Sequence, residues 1–229
     1  MPELIVVLSG AGISAESGLE TFRGQGGLWN NHRIEEVATP KAFEKNQKLV
    51  LDFYNERRKF LQEVEPNKAH YALAALEKKY RVQIITQNVD DLHERAGSSQ
   101  ILHLHGELLK VRSTVDASLI YPWKKNLKIG DLCEKGAQLR PHIVWFGEAV
   151  PLLDRAVVYC SRADILIVVG TSLSVYPAAG LSEITPAGIP KYFINPDIPD
   201  EAKGKGFTLI EAKASDALPA LVSQLLEEI

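Results

Sequence analysis

The stretch Leu4-Ile5-Val6-Val7-Leu8-Ser9-Gly10-Ala11-Gly12 decides the fold. Five apolar residues in a row, three of them β-branched, leave no polar face for solvent. Such a run suits a strand covered on both sides, as in a parallel sheet, and the glycines that follow suit a tight turn. Similar runs recur at 82–86, 142–146, 165–169, 192–195 and 207–210. Helical spacing of apolar residues separates several of them, at 67–79, 151–161 and 215–228. In the last of these Ser215 is read as the N-cap and Pro219 as a first-turn residue, with Leu218, Leu221, Val222 and Leu225 on one face. Strands alternating with helices predict an α/β fold, a doubly wound parallel sheet.

Two stretches interrupt the alternation. Residues 25–65 hold a helical insert with Leu49, Phe53, Phe60 and Leu61 as its apolar side, and residues 109–138 are irregular. No flexible Gly/Ser tract sets them apart. The expected organisation is a large domain from 1–24, 66–108 and 139–229, and a small domain from 25–65 and 109–138.

The chain has 229 residues, of which 45% are apolar and 24% charged, close to globular averages, which excludes a disordered tail, a fibre or a disulfide miniprotein. With 26 basic and 29 acidic residues the formal charge is −3, so no excess positive field exists for nucleic acid. No run approaches the length of a membrane span, and no leader is visible at Met1-Pro2-Glu3, so the expected location is cytoplasmic, with no membrane partner. Cys133 and Cys160 are expected to be free thiols in that compartment.

Polar clusters follow the strand runs. Gly10-Ala11-Gly12-Ile13-Ser14 follows the first, and Phe22-Arg23-Gly24 lies a short way on. Glycines in a strand-to-helix turn let phosphates approach the backbone, although the third glycine of the dinucleotide fingerprint is missing. Thr86-Gln87-Asn88-Val89-Asp90 ends the second run; a cap on the next helix is the plainer explanation of its Asn and Asp residues. His103-Leu104-His105-Gly106-Glu107 supplies two histidines, whose spacing is not that of a helical metal pair. Trp145-Phe146-Gly147-Glu148, Gly170-Thr171-Ser172-Leu173-Ser174-Val175 and Ile194-Asn195-Pro196 end later runs. Each is weak alone. At one edge of a parallel sheet they would together form a large cleft.

These blocks, in this order and over nearly the whole chain, resemble the sirtuins, NAD-dependent protein-lysine deacylases that join a Rossmann-like domain to a smaller one. The resemblance implies that Gly10, Ala11, Gly12 and Ser14 hold the diphosphate of NAD, that Phe22 covers the nicotinamide ribose, and that Arg23 orders the loop. It implies that Gln87 and Asn88 contact that ribose and Asp90 the carboxamide. Gly170, Thr171, Ser172 and Asn195 would line the adenosine side, and Ala214 the adenine. In the family the acyl oxygen attacks the ribose carbon as nicotinamide leaves. His105 would then accept a proton from a ribose hydroxyl, with Asn88 also in the catalytic set. An ordinary histidine pKa near ~6.5 suits a proton acceptor at neutral pH, and such catalysis is worth about 10²–10⁴-fold. His103 has no such match and is expected to be structural. Glu148 and Ser174, with Phe146 and Val175, would flank an acyl-lysine protein or peptide bound as an added strand. A monomer is expected.

Within the insert, Ala38 and the pair Tyr54 and Arg57 resemble the sirtuin class that removes succinyl and malonyl groups. Residues three apart share a helix face. A guanidinium can grip a distal carboxylate and a phenol can add a hydrogen bond. Adjacent Arg58 points about 100° away and is not assigned.

The chain departs from the family at its structural zinc. The first Cys-x-x-Cys place reads Lys110-Val111-Arg112-Ser113-Thr114, and Cys133 is out of phase with the second. One thiolate cannot hold a tetrahedral zinc, so no metal is expected, and packing by Ile120, Tyr121, Trp123, Leu127, Ile129 and Leu132 is expected instead. Acetyl removal, mono-ADP-ribosyl transfer and a non-catalytic NAD-binding module are the alternative functions. A dehydrogenase fits less well, because the glycine spacing is wrong and no acidic residue ends a second strand.

Overall fold

A computed structural model describes residues 2–20 and 32–227. Its main sheet has six parallel strands in the order β3-β2-β1-β7-β8-β9. These are β1 (Leu4–Ser9), β2 (Arg81–Thr86), β3 (Ile101–His103), β7 (Ile165–Val169), β8 (Lys191–Asn195) and β9 (Thr208–Glu211). The three strands of the first half run outward in one direction from β1 and those of the second half in the other. This is the Rossmann order, with its crevice at the switch point between β1 and β7. All six residues of β1 are buried, and so are all five of β7, as their unbroken apolar runs require.

The alternation of side chains sorts the core into two layers. Ile5, Val7, Ile84, Ile167 and Ile194 face helices α4 (Lys68–Ala75) and α7 (Ala214–Glu227). Val6, Leu8, Ile85, Leu166 and Phe193 face α6 (Leu153–Cys160) and the turn at Ala178–Glu183. Helix α7 begins at Ala214, so Ser215 is not its N-cap and Pro219 falls beyond the first turn. Ser215 instead donates its N–H and its hydroxyl to the carboxylate of Glu16, at 3.0 and 2.7 Å. No helix among the described residues is long and apolar enough to cross a membrane.

A second sheet holds β4 (Gly106–Ser113), β5 (Ile120–Pro122) and β6 (Leu139–Ile143), antiparallel in the order β5-β4-β6. This corrects the expectation for 142–146, which is not a strand of the parallel sheet. Its first half ends β6, and Val144–Phe146 continues as a loop whose Phe146 N–H donates to the Ala38 carbonyl. The parallel sheet takes β3 as its edge strand, three residues too short to stand out as an apolar run. The small sheet begins at Gly106 and returns through Ile143, so it draws in residues assigned above to the large domain.

Against this sheet packs α3 (Gln47–Leu61), preceded by α1 (Ile34–Val37) and α2 (Pro40–Lys45). Asn46 starts α3 by accepting the Leu49 N–H at 3.1 Å, and Arg58 and Lys59 sit at its negative end. Val50, Leu51, Tyr54 and Leu61 join Leu108, Val111, Leu127 and Leu139 in a third apolar cluster. Of the residues expected to order this module, Leu127 is buried, whereas Ile120, Ile129 and Leu132 are exposed; Tyr121 and Trp123 pack only partly.

Hydrogen bonds from α3 to the module's backbone do what those exposed residues do not. Asn55 donates to the Leu127 carbonyl at 2.9 Å and accepts the Leu127 N–H at 2.8 Å. Arg58, almost wholly buried, donates to the Leu108 carbonyl at 3.0 Å and to the Asn55 side chain at 2.7 Å. Gln62 donates to the Lys124 carbonyl at 3.0 Å. Burial pushes the Arg58 guanidinium down to about 10, which leaves it charged at neutral pH. Truncation of Asn55 strands both Leu127 groups and one Arg58 donor, so Asn55→Ala should cost about 2–4 kcal/mol in urea unfolding. A loss under about 0.5 kcal/mol would show that these bonds do not hold the module.

Candidate active site

The cleft opens where the strand order reverses, over the carboxyl ends of β1, β2 and β7. It encloses about 1360 Å³, more than the roughly 300–1,000 Å³ usual for one small ligand. The turn after β1 leads into two short 3-10 turns, Ala11–Ile13 and Ala15–Ser17, rather than directly into a long helix. Here the glycines serve backbone packing. A Cβ on Gly12 would lie 2.6 Å from the Gly170 Cα, and Gly170 itself has φ +65°. Gly12 donates its N–H to the Gly170 carbonyl at 2.8 Å. The two turns thus form one continuous wall at the switch point.

The loop after β2 is held by its carbonyls. Thr86 accepts from Leu104 N–H at 2.9 Å and Val89 from Leu108 N–H at 2.8 Å. Between them, the Gln87 carbonyl faces His105 Nδ1 at 3.1 Å and the Asn88 carbonyl faces His103 Nδ1 at 3.0 Å. With its backbone fixed, the buried Asn88 side chain donates to the Gly10 carbonyl and to Ser14 Oγ, each at 3.2 Å. Ser14 donates onward to Asp90 at 3.0 Å. Burial raises the Asp90 carboxyl, while the Leu92 N–H, Ser14 and nearby His103 act against that rise.

His105 lines the cleft and is half-buried. Its Nδ1 faces a carbonyl, which can only accept, so that nitrogen carries the proton and Nε2 keeps its lone pair. Burial lowers its pKa from the ordinary value; the bond to Gln87 opposes this without cancelling it. It is a neutral proton acceptor at neutral pH.

Tyr54 and Arg57 both reach the cleft from α3, and Ala38 also lines it. The Tyr54 hydroxyl accepts the Trp145 indole N–H at 3.0 Å. Burial pushes the phenol well above its usual range, so it stays protonated. Burial lowers the Arg57 pKa, and the Glu20 and Asp90 carboxylates oppose this without cancelling it. Trp145 is fixed in turn. The Arg140 guanidinium lies 3.3 Å from its ring centre, and its N–H donates to Glu148 at 2.8 Å.

Glu148 therefore has structural work. Its carboxylate also accepts from Arg140 at 2.7 and 3.0 Å and from Arg112 at 3.2 Å. Burial alone would raise its pKa, but these donors hold it below the usual range. Glu148 and Phe146 line one side of the cleft, and Val175 and Ser172 the other. Ser174 is absent from the lining residues, although its hydroxyl bonds Ser172 at 2.6 Å. Leu173 between them adopts φ +54°, a strained conformation that turns this loop sharply.

Gly10, Ala11, Gly12, Ser14, Gln87, Asn88, Asp90, Gly170, Thr171 and Asn195 all reach the cleft. Ala214 does not; its side chain is buried in the core, and Lys213 lines the cleft instead. Phe22 and Arg23 lie outside the described residues. Sequence reasoning missed the structural parts of Trp145 and Arg140, which no local motif announces.

The zinc expectation can be set against the donors present. Cys133 lies in the small-sheet cluster with its thiol 3.3 Å from Ser113 Oγ, and Cys160 lies in α6 under the main sheet. Both are free and in separate cores, so they do not fit a four-cysteine site. Among the described residues, Glu94, His103 and Glu107 gather ligand-type atoms within 4.8 Å. There each carboxylate already has a protein partner, the His103 ring for Glu94 and the Lys110 ammonium for Glu107, both at 2.7 Å.

A Sir2 family profile matches residues 10–177. The chain belongs to the Sir2 family. A Helicobacter pylori protein named NAD-dependent protein deacylase is 56% identical over 223 residues, covering 97% of this chain and 95% of its own length. A Bacteroides thetaiotaomicron protein of the same name is 50% identical over 228 residues, covering 97% of each. Among solved structures, a Sir2 homologue complexed with NAD superposes with a TM-score of 0.88 at 44% identity, covering 99% of this chain and 90% of its own. A Sir2–p53 peptide–NAD⁺ complex gives 0.80 at 29% identity, covering 99% and 95%. The six-stranded sheet, the small antiparallel sheet and the cleft between them are thus a Sir2 fold.

Proposed function

We propose that this chain is an NAD-dependent protein-lysine deacylase that favours succinyl and malonyl over acetyl groups. The single observation behind the preference is the pairing of Tyr54 and Arg57 in the cleft, which the small Ala38 also lines. A protonated phenol and a buried guanidinium, whose charge an anionic ligand would favour, suit a carboxylate at the end of an acyl chain. Asn88, Asp90 and the Gly10–Gly12 wall fit NAD, which supplies the ADP-ribose that accepts the acyl group. Arg140 and Trp145 hold the substrate loop, so that a peptide can lie between Phe146 and Val175 as an added strand. His105 Nε2 takes the proton from a ribose hydroxyl. One water is consumed, and the products are nicotinamide, acyl-ADP-ribose and the free lysine.

Mass spectrometry of matched succinyl-, malonyl- and acetyl-lysine peptides tests the preference. NAD-dependent loss of succinyl should exceed loss of acetyl, and Arg57→Met should reverse the order by about 10²-fold or more. Removal of acetyl alone overturns the carboxylate grip while leaving the deacylase reading intact. ADP-ribose found on the protein instead of on the acyl group would favour the transferase alternative. NAD binding with no acyl loss would favour the binding module.

His105 sets a pH dependence. As a base with a lowered pKa it is active above that pKa and is lost as pH falls through it. The acid limb of kcat/KM should therefore lie below pH ~6.5. His105→Ala should slow turnover by about 10²–10⁴-fold and remove that limb. An acid limb at or above pH ~6.5 would count against His105 as the base.

We further propose that the small domain needs no zinc, because the hydrogen bonds of Asn55 and Arg58 order it. Elemental analysis of the purified protein should find zinc far below one per chain, with thermal unfolding indifferent to chelator. Stoichiometric zinc would refute this.

A further inference from the structure

His103 carries a second geometric constraint that the assignment of His105 leaves unused. It ends β3 opposite Thr86 and is buried. Its Nδ1 faces the Asn88 carbonyl at 3.0 Å and its Nε2 the Glu94 carboxylate at 2.7 Å. Both partners are acceptors, and neither neutral tautomer can serve both. His105 differs in this respect, since only its Nδ1 meets an acceptor and one proton suffices.

We propose that His103 is a positioning residue for the deacylation reaction: as a doubly donating imidazolium it holds the Asn88 carbonyl, and through it the Asn88 amide that faces the nicotinamide ribose. The chain of contacts is short. The carbonyl grip fixes the backbone at Asn88, whose amide then reaches Gly10 and Ser14, and Ser14 reaches Asp90. Loss of one proton reverses the grip. The remaining proton stays on Nε2 for the charged carboxylate, since that bond is the shorter and charge-assisted one. Nδ1 then turns a lone pair onto the Asn88 oxygen, and the loop shifts.

The groups facing the ring agree with a retained charge. Glu94 of helix α5 (Leu92–Arg95) and Glu107 of β4 favour the cation, as does the bond to Asn88. Burial opposes it; in turn His103 favours the charged form of Asp90 and helps to keep His93 neutral. Lys110, one turn of strand beyond, is paired to Glu107. The balance raises the His103 pKa above the ordinary value despite burial. The sign follows: the grip is present below that raised pKa and is lost as pH climbs through it. His105 thus governs the acid side of the profile and His103 the alkaline side.

The proposal rests on the placement of Asn88 at the ribose, and two measurements separate the two. The first is the pH titration of the histidine ring signals by NMR in wild type and Glu94→Gln, with His103→Gln assigning the resonance. Wild-type His103 should titrate above the ordinary histidine value, and Glu94→Gln should move it down. The Glu94 side chain is 40% exposed, so that variant keeps its fold. The second is kcat/KM for NAD against pH at saturating acyl peptide. Glu94→Gln should move the alkaline limb to lower pH, while His103→Gln should lower kcat/KM for NAD by about ten- to a hundredfold and leave the peptide KM nearly unchanged. A ring that titrates at or below the ordinary value overturns the proposal. So does an alkaline limb that Glu94→Gln leaves in place. A wild-type protein with no NAD-dependent deacylation at any pH defeats the functional reading, and the ring titration still decides the state of His103.

Discussion

Four successive carbonyl groups, those of Thr86 to Val89, set the geometry of the cleft. A loop at the end of a buried parallel strand leaves its backbone acceptors without ladder partners, and such groups are costly unless paired. Here the adjoining segment, Leu104 to Leu108 with His103, supplies all four donors in turn. Two are backbone N–H groups and two are histidine rings. The rings do more than satisfy the carbonyls, because each bond fixes which nitrogen holds a proton. One motif of alternating histidines therefore gives one ring that lines the cleft with a single nitrogen bonded and one ring bonded at both nitrogens.

The same economy governs α3. One stripe of the helix, Asn55, Arg58 and Gln62, hydrogen-bonds the backbone of the small sheet and the loop beyond it. The neighbouring stripe, Tyr54, Arg57 and Leu61, lines the cleft. The element that bonds the small sheet thus also presents Tyr54 and Arg57 to the cleft, and movement of one stripe carries the other with it. Trp145 closes the link from the far side: its indole holds Tyr54, while Arg140 lies over its ring and Glu148 accepts its backbone N–H. The position of Tyr54 and the shape of the Trp145–Glu148 loop are therefore mechanically joined.

Much of this was legible in the sequence, for identifiable reasons. The β1 and β7 runs could be read because strands in the middle of a parallel sheet are apolar throughout. The run at 142–146 misled for the same reason. It is apolar because it packs under α3 and then meets the cleft, not because it lies within the parallel sheet. Edge strand β3 was missed because three residues carry no periodicity. The residues lining the cleft were found as motifs at strand ends, where a parallel topology brings them together. His103 was legible as a residue but not as a role, because its partners, Asn88 and Glu94, become neighbours only when β3 pairs with β2. Ala214 was placed one residue from Lys213, which reaches the cleft, since the start of α7 decides which of the two turns inward.

The ordering of the small domain makes a broader physical point. Its strands are short and several of its larger apolar side chains are exposed, so apolar burial alone gives a weak account of its stability. What the module has in quantity is backbone polarity, in loops that approach α3 closely. Hydrogen bonds to those groups are specific in a way that apolar packing is not, because Asn55 answers both the N–H and the carbonyl of one residue, Leu127. Arg58 extends this with a rigid fork, and burial leaves it charged, which strengthens each bond it donates. A lysine would bring only a point charge on a flexible stem, and a leucine would leave the Leu108 carbonyl without this donor. Two polar side chains of one helix in this way remove the loops' alternatives rather than add to the core.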